Sequence, residues 1–239
     1  MMLLEIRRLS KSFGSLKAAD AIDLAIAEGE AVGIIGPNGA GKSTLFNLIG
    51  GSIRPDAGEI VLKGVDITRT QPHERCIAGI GRSHQIPQPF ENLTVFENLL
   101  VGAAHGGRVH AADPVDFCAE ILERTGLLPR ANMPAGSLTL LERKRLEMAR
   151  ALATGPKLLL LDEIAGGLTE SECHALVDTI KDIRAGGTTI AWIEHIVHAL
   201  LAVVDRLVVL NFGRKIAEGD PRAVMGSPEV REIYTGLLA

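Results

Sequence analysis

Eight residues from Gly36 to Ser43, "GPNGAGKS", have the spacing G-x-x-x-x-G-K-S. Glycines let a backbone curl until its N–H groups point inward at phosphate oxygens. A helix that opens directly after such a turn adds the positive end of its dipole. Lys42 then meets the β- and γ-phosphates of a nucleotide, and the Ser43 hydroxyl coordinates Mg²⁺. The candidate phosphate-binding residues are therefore Gly36, Pro37, Asn38, Gly39, Ala40, Gly41, Lys42, Ser43 and Thr44. An ordinary glycine turn is the alternative. The apolar run before the loop and the helical pattern after it speak against that alternative.

A second stretch, "LLLLDEIAGG" from Leu158 to Gly167, runs four leucines straight into two carboxylates. Ions lose their hydration on burial, so Asp162 and Glu163 need compensation. In proteins with a phosphate loop, a carboxylate at the end of a neighbouring buried strand helps to hold Mg²⁺. Asp162 takes that role here, usually through water. Glu163, one residue on, reaches the water that attacks the γ-phosphate. The two acids are thus expected to be balanced by a divalent cation and by solvent in the nucleotide cleft. The bland alternative is that both cap the strand end beside a lysine.

These residues need a scaffold, and the pattern around them supplies one. "AIDLAIAEG" alternates Ile22, Leu24 and Ile26 as a half-buried strand does, whereas "AVGII" is the continuous apolar run of a buried parallel strand. "STLFNLIGG" starts a helix that stops at Gly50-Gly51, and "RPDAGEIVLKG" reads as a turn and a strand. From about residue 92 to 154 the pattern is helical. Thr94 with Glu97 and Thr139 with Glu142 match the capping box, and Asp113-Pro114 is a cap followed by a first-turn proline. Strands resume at "KLLLLDE" and "TTIAWIEH", with a helix from about Glu170 to Arg184 between them. A hairpin turns at Asn211-Phe212-Gly213, and a helical tail opens at Asp220-Pro221 and runs to about residue 239. The alternation predicts an α/β fold with a mainly parallel sheet, in one domain that carries the helical block as an insert.

Composition narrows the function. The 239 residues carry a net charge of -4 and only 3% aromatics, which disfavours nucleic acid as a partner. The three cysteines, Cys76, Cys118 and Cys173, are scattered and odd in number, so a disulfide framework is not expected. "MMLLEIRRLSKSF" lacks the apolar core of a secretory signal. "IVHALLAVVDRLVVL" is interrupted by His198, Asp205 and Arg206 and is too short for a membrane span. The expectation is a soluble, cytosolic protein.

Taken together, these motifs resemble the nucleotide-binding subunit of ATP-binding cassette (ABC) transporters, over essentially the whole chain. The resemblance implies a P-loop NTPase fold with an antiparallel β portion near the N-terminus and an inserted helical subdomain. It implies ATP and Mg²⁺ as ligands. Phe13, in "KSFGSLKA", matches the aromatic that stacks on adenine, although the residues alone leave a core position equally open. Gln85 matches the glutamine that links the magnesium site to the helical subdomain and the membrane partner. His195, after "TTIAWIEH", matches the histidine that contacts the γ-phosphate; a metal site at His195 and His198 lacks a third ligand.

"LTLLERKRLEMARAL" resembles the family's signature segment and its basic helix. Thr139 replaces serine as a hydroxyl donor to the γ-phosphate held by another subunit. Leu141 stands for the usual glycine, Glu142 for glutamine, Ile164 for the proline after the catalytic glutamate, and Thr169 for an aspartate or asparagine.

"ENLTVFENLLVGA", "IEH" and the ending "GRKIAEGDPRAVMGSPEVREIYTG" are similar to the branched-chain amino acid uptake group, with the lipopolysaccharide-export ATPases as the alternative. A soluble ABC ATPase acting on nucleic acid or ribosomes ranks below both, because the chain has one P-loop and a compact insert. A P-loop kinase would have no signature helix. The resemblance further implies transmembrane permease subunits, a second ABC ATPase subunit as homo- or heterodimer, and indirectly a solute-binding protein. The chain would sit peripherally on the inner face of the cell membrane.

Overall fold

The computed structural model describes residues 1–107 and 113–235. Residues 108–112 of the expected helical block and 236–239 of the expected tail lie outside the described residues. In chain order the elements are β1 Met2–Phe13, β2 Leu16–Ala27, β3 Ala31–Ile35, α1 Lys42–Gly50, β4 Ala57–Leu62 and β5 Val65–Asp66. There follow α2 Pro72–Ala78, β6 Ile80–Arg82, α3 Val95–His105, α4 Pro114–Arg124, α5 Leu140–Ala153, β7 Leu158–Asp162, α6 Glu170–Ala185 and β8 Thr189–Ile193. The chain closes with α7 Val197–Leu201, β9 Arg206–Asn211, β10 Arg214–Gly219, α8 Pro221–Gly226 and α9 Pro228–Thr235. They form two compact units, Met1–Pro72 with Ala191–Ala239, and His73–Ile190.

In the first unit β2, β1, β4 and β5 make an antiparallel sheet in that order. Its buried face follows period two at Leu4 and Ile6 on β1 and at Ile22, Leu24 and Ile26 on β2, and an irregularity between Ile6 and Leu9 shifts the alternation so that Leu9 is buried as well. All five residues of β3 are buried, and β3 pairs in parallel with β9. β9 turns into antiparallel β10 through Phe212 and Gly213, whose φ angles of 44° and 75° suit the tight turn of a two-residue hairpin. Gly33 lets α7 approach: a Cβ there would lie 2.6 Å from a methyl of Leu200.

In the second unit β6 pairs in parallel with β7, opposing Arg82 to Leu160. α3 packs on α4 and α5 around buried Leu99, Leu122, Leu146 and Leu152. The helices start where the caps require. Thr94 and Thr139 each form a complete capping box, and Asp113 accepts from the Val115 N–H at 2.8 Å before Pro114. A third box, Thr169 with Glu172, opens α6. β8 is the strand at which the chain returns from the second unit to the first.

β5, β6 and α2 have no counterpart in the sequence expectations. β6 is only three residues long, with Gly81 at its centre. Gly81 is there for close packing, since a Cβ would come within 2.9 Å of Pro156.

Candidate functional site

The first unit holds the phosphate loop between β3 and α1. A Cβ on Gly36 would lie 2.2 Å from the Leu210 carbonyl oxygen. One on Gly41, at φ 100°, would lie 2.2 Å from that of Ala18. The loop is therefore pressed against backbone that cannot yield. From behind, the Gly213 N–H donates to the Ala40 carbonyl at 3.0 Å, so the β9–β10 turn braces it. Lys42 is 5% exposed, and its Nζ donates to the Gly36 carbonyl at 2.8 Å and the Pro37 carbonyl at 3.1 Å. The ammonium is thus held inside the loop. Asn38, Gly39 and Ser43 face solvent, Pro37 and Thr44 partly so. No side chain caps the start of α1 at Gly41, and the positive end of a helix dipole favours an anion there.

Phe13 ends β1 and is 50% exposed, with Lys11 Nζ 5.7 Å from its ring centroid. It is not a core residue. His195 is exposed just past β8. Its backbone N–H donates to Oε2 of buried Glu194 at 3.0 Å, and the same oxygen accepts from the Ile196 N–H at 3.5 Å. Glu194 thereby fixes the turn that presents His195. Sequence reasoning passed over this acid, although it stands in "IEH" beside the histidine.

The second unit holds the two carboxylates at the end of β7. Asp162 is buried and accepts from Arg82 Nη2 at 2.8 Å, an ion pair across the β6–β7 register. Glu163 is half-buried, its carboxylate accepts from Gln85 Nε2 at 2.6 Å, and its backbone is left-handed at φ 48°. Such a conformation costs a non-glycine residue of order 1–3 kcal/mol and clusters at functional sites. Compensation of the acids thus includes two protein partners, Arg82 and Gln85, neither of which the sequence reading assigns to that role. Ile164, in the place of proline, is fully buried in the core.

α5 begins at Thr139. The Thr139 hydroxyl donates to Glu142 Oε2 at 3.0 Å, and the Thr139 N–H donates to the same oxygen at 2.9 Å. Arg130 pairs with the other carboxylate oxygen at 2.8 Å. The Thr139 N–H and Arg130 hold the Glu142 carboxyl below the usual glutamate value. Leu141 is half-buried, and Thr169 is committed to the α6 cap.

The donors suit Mg²⁺. In the first unit the Ser43 hydroxyl is a hard oxygen donor, and in the second unit so are the Asp162 carboxylate and the Gln85 amide oxygen. Among the described residues no group of three or more His, Cys, Asp or Glu side chains could hold a metal, and no helix is long and apolar enough to cross a membrane. Mg²⁺ characteristically binds through one or two protein groups, waters and substrate phosphates rather than an all-protein cage. The three cysteines are free, and burial pushes the Cys118 thiol up to about 11.

The sequence profile of the ABC transporter family matches residues 19–166, which include the loop, Gln85, Thr139 and both carboxylates. The probable branched-chain amino acid transport ATP-binding protein LivG of Methanocaldococcus jannaschii is 34% identical over 99% of this chain and 98% of its own. The high-affinity LivG of Escherichia coli K12 is 35% identical over 98% of both. Among solved structures, the ADP conformation of an ATP-binding cassette of an ABC transporter matches with a TM-score of 0.90 at 34% identity, over 99% of each chain.

Proposed function

Because the chain belongs to the ABC transporter family and is an ATPase, we propose that it energises an importer for branched-chain amino acids or related small solutes. The names of the curated relatives support that substrate class. The phosphate loop binds the triphosphate of ATP: Lys42 and the α1 N-terminus balance its charge, and exposed Phe13 offers a face for the adenine. Ser43, Asp162 and Gln85 would hold Mg²⁺, which would supply positive charge against the triphosphate.

Glu163 aligns the water for in-line attack on the γ-phosphate, with Gln85 fixing its carboxylate and His195 contacting the phosphate. Thr139 contacts the γ-phosphate held by a second ABC ATPase subunit, a copy of this chain or a related one. That role requires its hydroxyl to exchange Glu142 for phosphate. Gln85 and its loop pass the change to transmembrane permease subunits at the inner face of the membrane. A solute-binding protein supplies the solute to those subunits.

The observation that carries this reading is Glu163 itself. It is a partly exposed carboxylate at a buried strand end, strained at φ 48° and gripped by Gln85 at 2.6 Å. Glu163→Gln is expected to slow ATP turnover by about 10²–10⁴-fold, the worth of a positioned general base, while a fluorescent ATP analogue still binds. Near-normal turnover in that variant would remove Glu163 from the mechanism.

A further inference from the structure

We propose that Lys144 is a positioning residue for hydrolysis, holding the backbone of Gln85 so that its side-chain amide stays on Glu163. The inference rests on the reading of Glu163 given above and adds a residue to it.

The segment after β6 has little burial to fix its place. His84, Gln85, Ile86, Gln88 and Phe90 are all exposed, Ile86 by 71%. Yet Gln85 must keep one register, because a shift of one residue would carry its amide away from Glu163. One face of α5 supplies what burial does not. Lys144, Glu147 and Arg150 follow at intervals of three, so they lie along the same side of the helix. Glu147 Oε1 accepts from the His84 N–H at 3.3 Å, and Lys144 Nζ donates to the Gln85 carbonyl at 2.9 Å. Arg150 donates to the Gln88 carbonyl at 2.8 Å, and its guanidinium lies 4.9 Å from the Phe90 ring centroid.

Lys144 is the member that touches Gln85 itself, and it is only 4% exposed. A lysine so deeply buried costs hydration that an apolar residue of similar length would not. Packing alone gives no reason for an ammonium at this point. A donor aimed at the Gln85 carbonyl does. The path from α5 through Lys144 to Gln85 and Glu163 lies wholly within the second unit.

A double-mutant cycle tests this. With Lys144→Met, kcat for ATP should fall roughly tenfold, the rate equivalent of one hydrogen bond to a charged group, with KM unchanged. Lys144→Arg should recover most of the rate. In a Gln85→Ala background the Lys144→Met change should add nothing, because the group it positions is gone. Equal losses in both backgrounds, or a parallel change in KM, would overturn the proposal. Should Lys144→Met fail to fold, the same cycle with Lys144→Gln decides on the same criteria. Glu163→Gln, run alongside, separates the two failures. Near-normal turnover there sinks the Glu163 reading and with it the proposal. A large loss together with an additive cycle sinks Lys144 alone.

Discussion

At the scale of single residues, the functional acids stand in prepared surroundings. Asp162 meets Arg82 at 2.8 Å with both side chains largely covered. Removing one partner of such a pair strands the other charge away from water. Arg82→Met should therefore destabilise the protein by about 3–5 kcal/mol, read as a lower urea midpoint. An unchanged midpoint would mean that the pair is solvated and holds nothing. Neither the Arg82 contact nor the Gln85–Glu163 bond could be read from spacing, because their partners lie 80 and 78 residues away in sequence. The β6–β7 register that joins the first pair is set by tertiary packing. The frame of the glycine loop, a buried strand before it and a helix after it, was by contrast legible in the sequence. The loop's glycines, Lys42 and Ser43 act through eight consecutive residues, so their spacing already specifies the geometry.

At the scale of elements, three helices of the second unit share one starting device. α3, α5 and α6 open at Thr94, Thr139 and Thr169, each with a glutamate three residues on. The threonine N–H bonds, first among the causes, hold Glu97, Glu142 and Glu172 below the ordinary value of 4.5. Their folded-state pKa values are lowered, so the stability they give is complete above about pH 4.5 and drains away as pH falls through the lower folded values. Thr94→Ala should cost about 1 kcal/mol, a drop of about 2–4 °C in Tm for a chain of this size. It should flatten the decline of Tm below pH 4.5 only in part, because the alanine keeps the backbone N–H that is first among the causes and loses only the hydroxyl. Calorimetry from pH 7 to pH 3.5 checks both points, and a variant that melts like the parent throughout would refute them.

The first two boxes were visible in the sequence, as was the Asp113-Pro114 cap. The Thr169–Glu172 box has the same spacing, but Thr169 drew attention as a departure from the family rather than as a cap. Short elements escaped for a different reason. β5 has two residues and β6 three, too few for a hydrophobic period to emerge.

At the scale of the whole molecule, one unit carries the antiparallel sheet and the β3–β9 pair, and the other carries the β6–β7 pair and α5, which begins at Thr139. The proposed work depends on two such subunits closing over ATP, with the phosphate loop of one facing Thr139 of the other. Nucleotide would then favour the closed pair by its differential contacts alone. Half-buried Leu141 and the engaged Thr139 hydroxyl make this the demanding step for two copies of the same chain. The most direct measurement is the mass of the Glu163→Gln variant by light scattering, with and without Mg-ATP. The account predicts a shift to twice the mass when Mg-ATP is added. A variant that binds ATP yet keeps the mass of one chain would contradict closure between two copies.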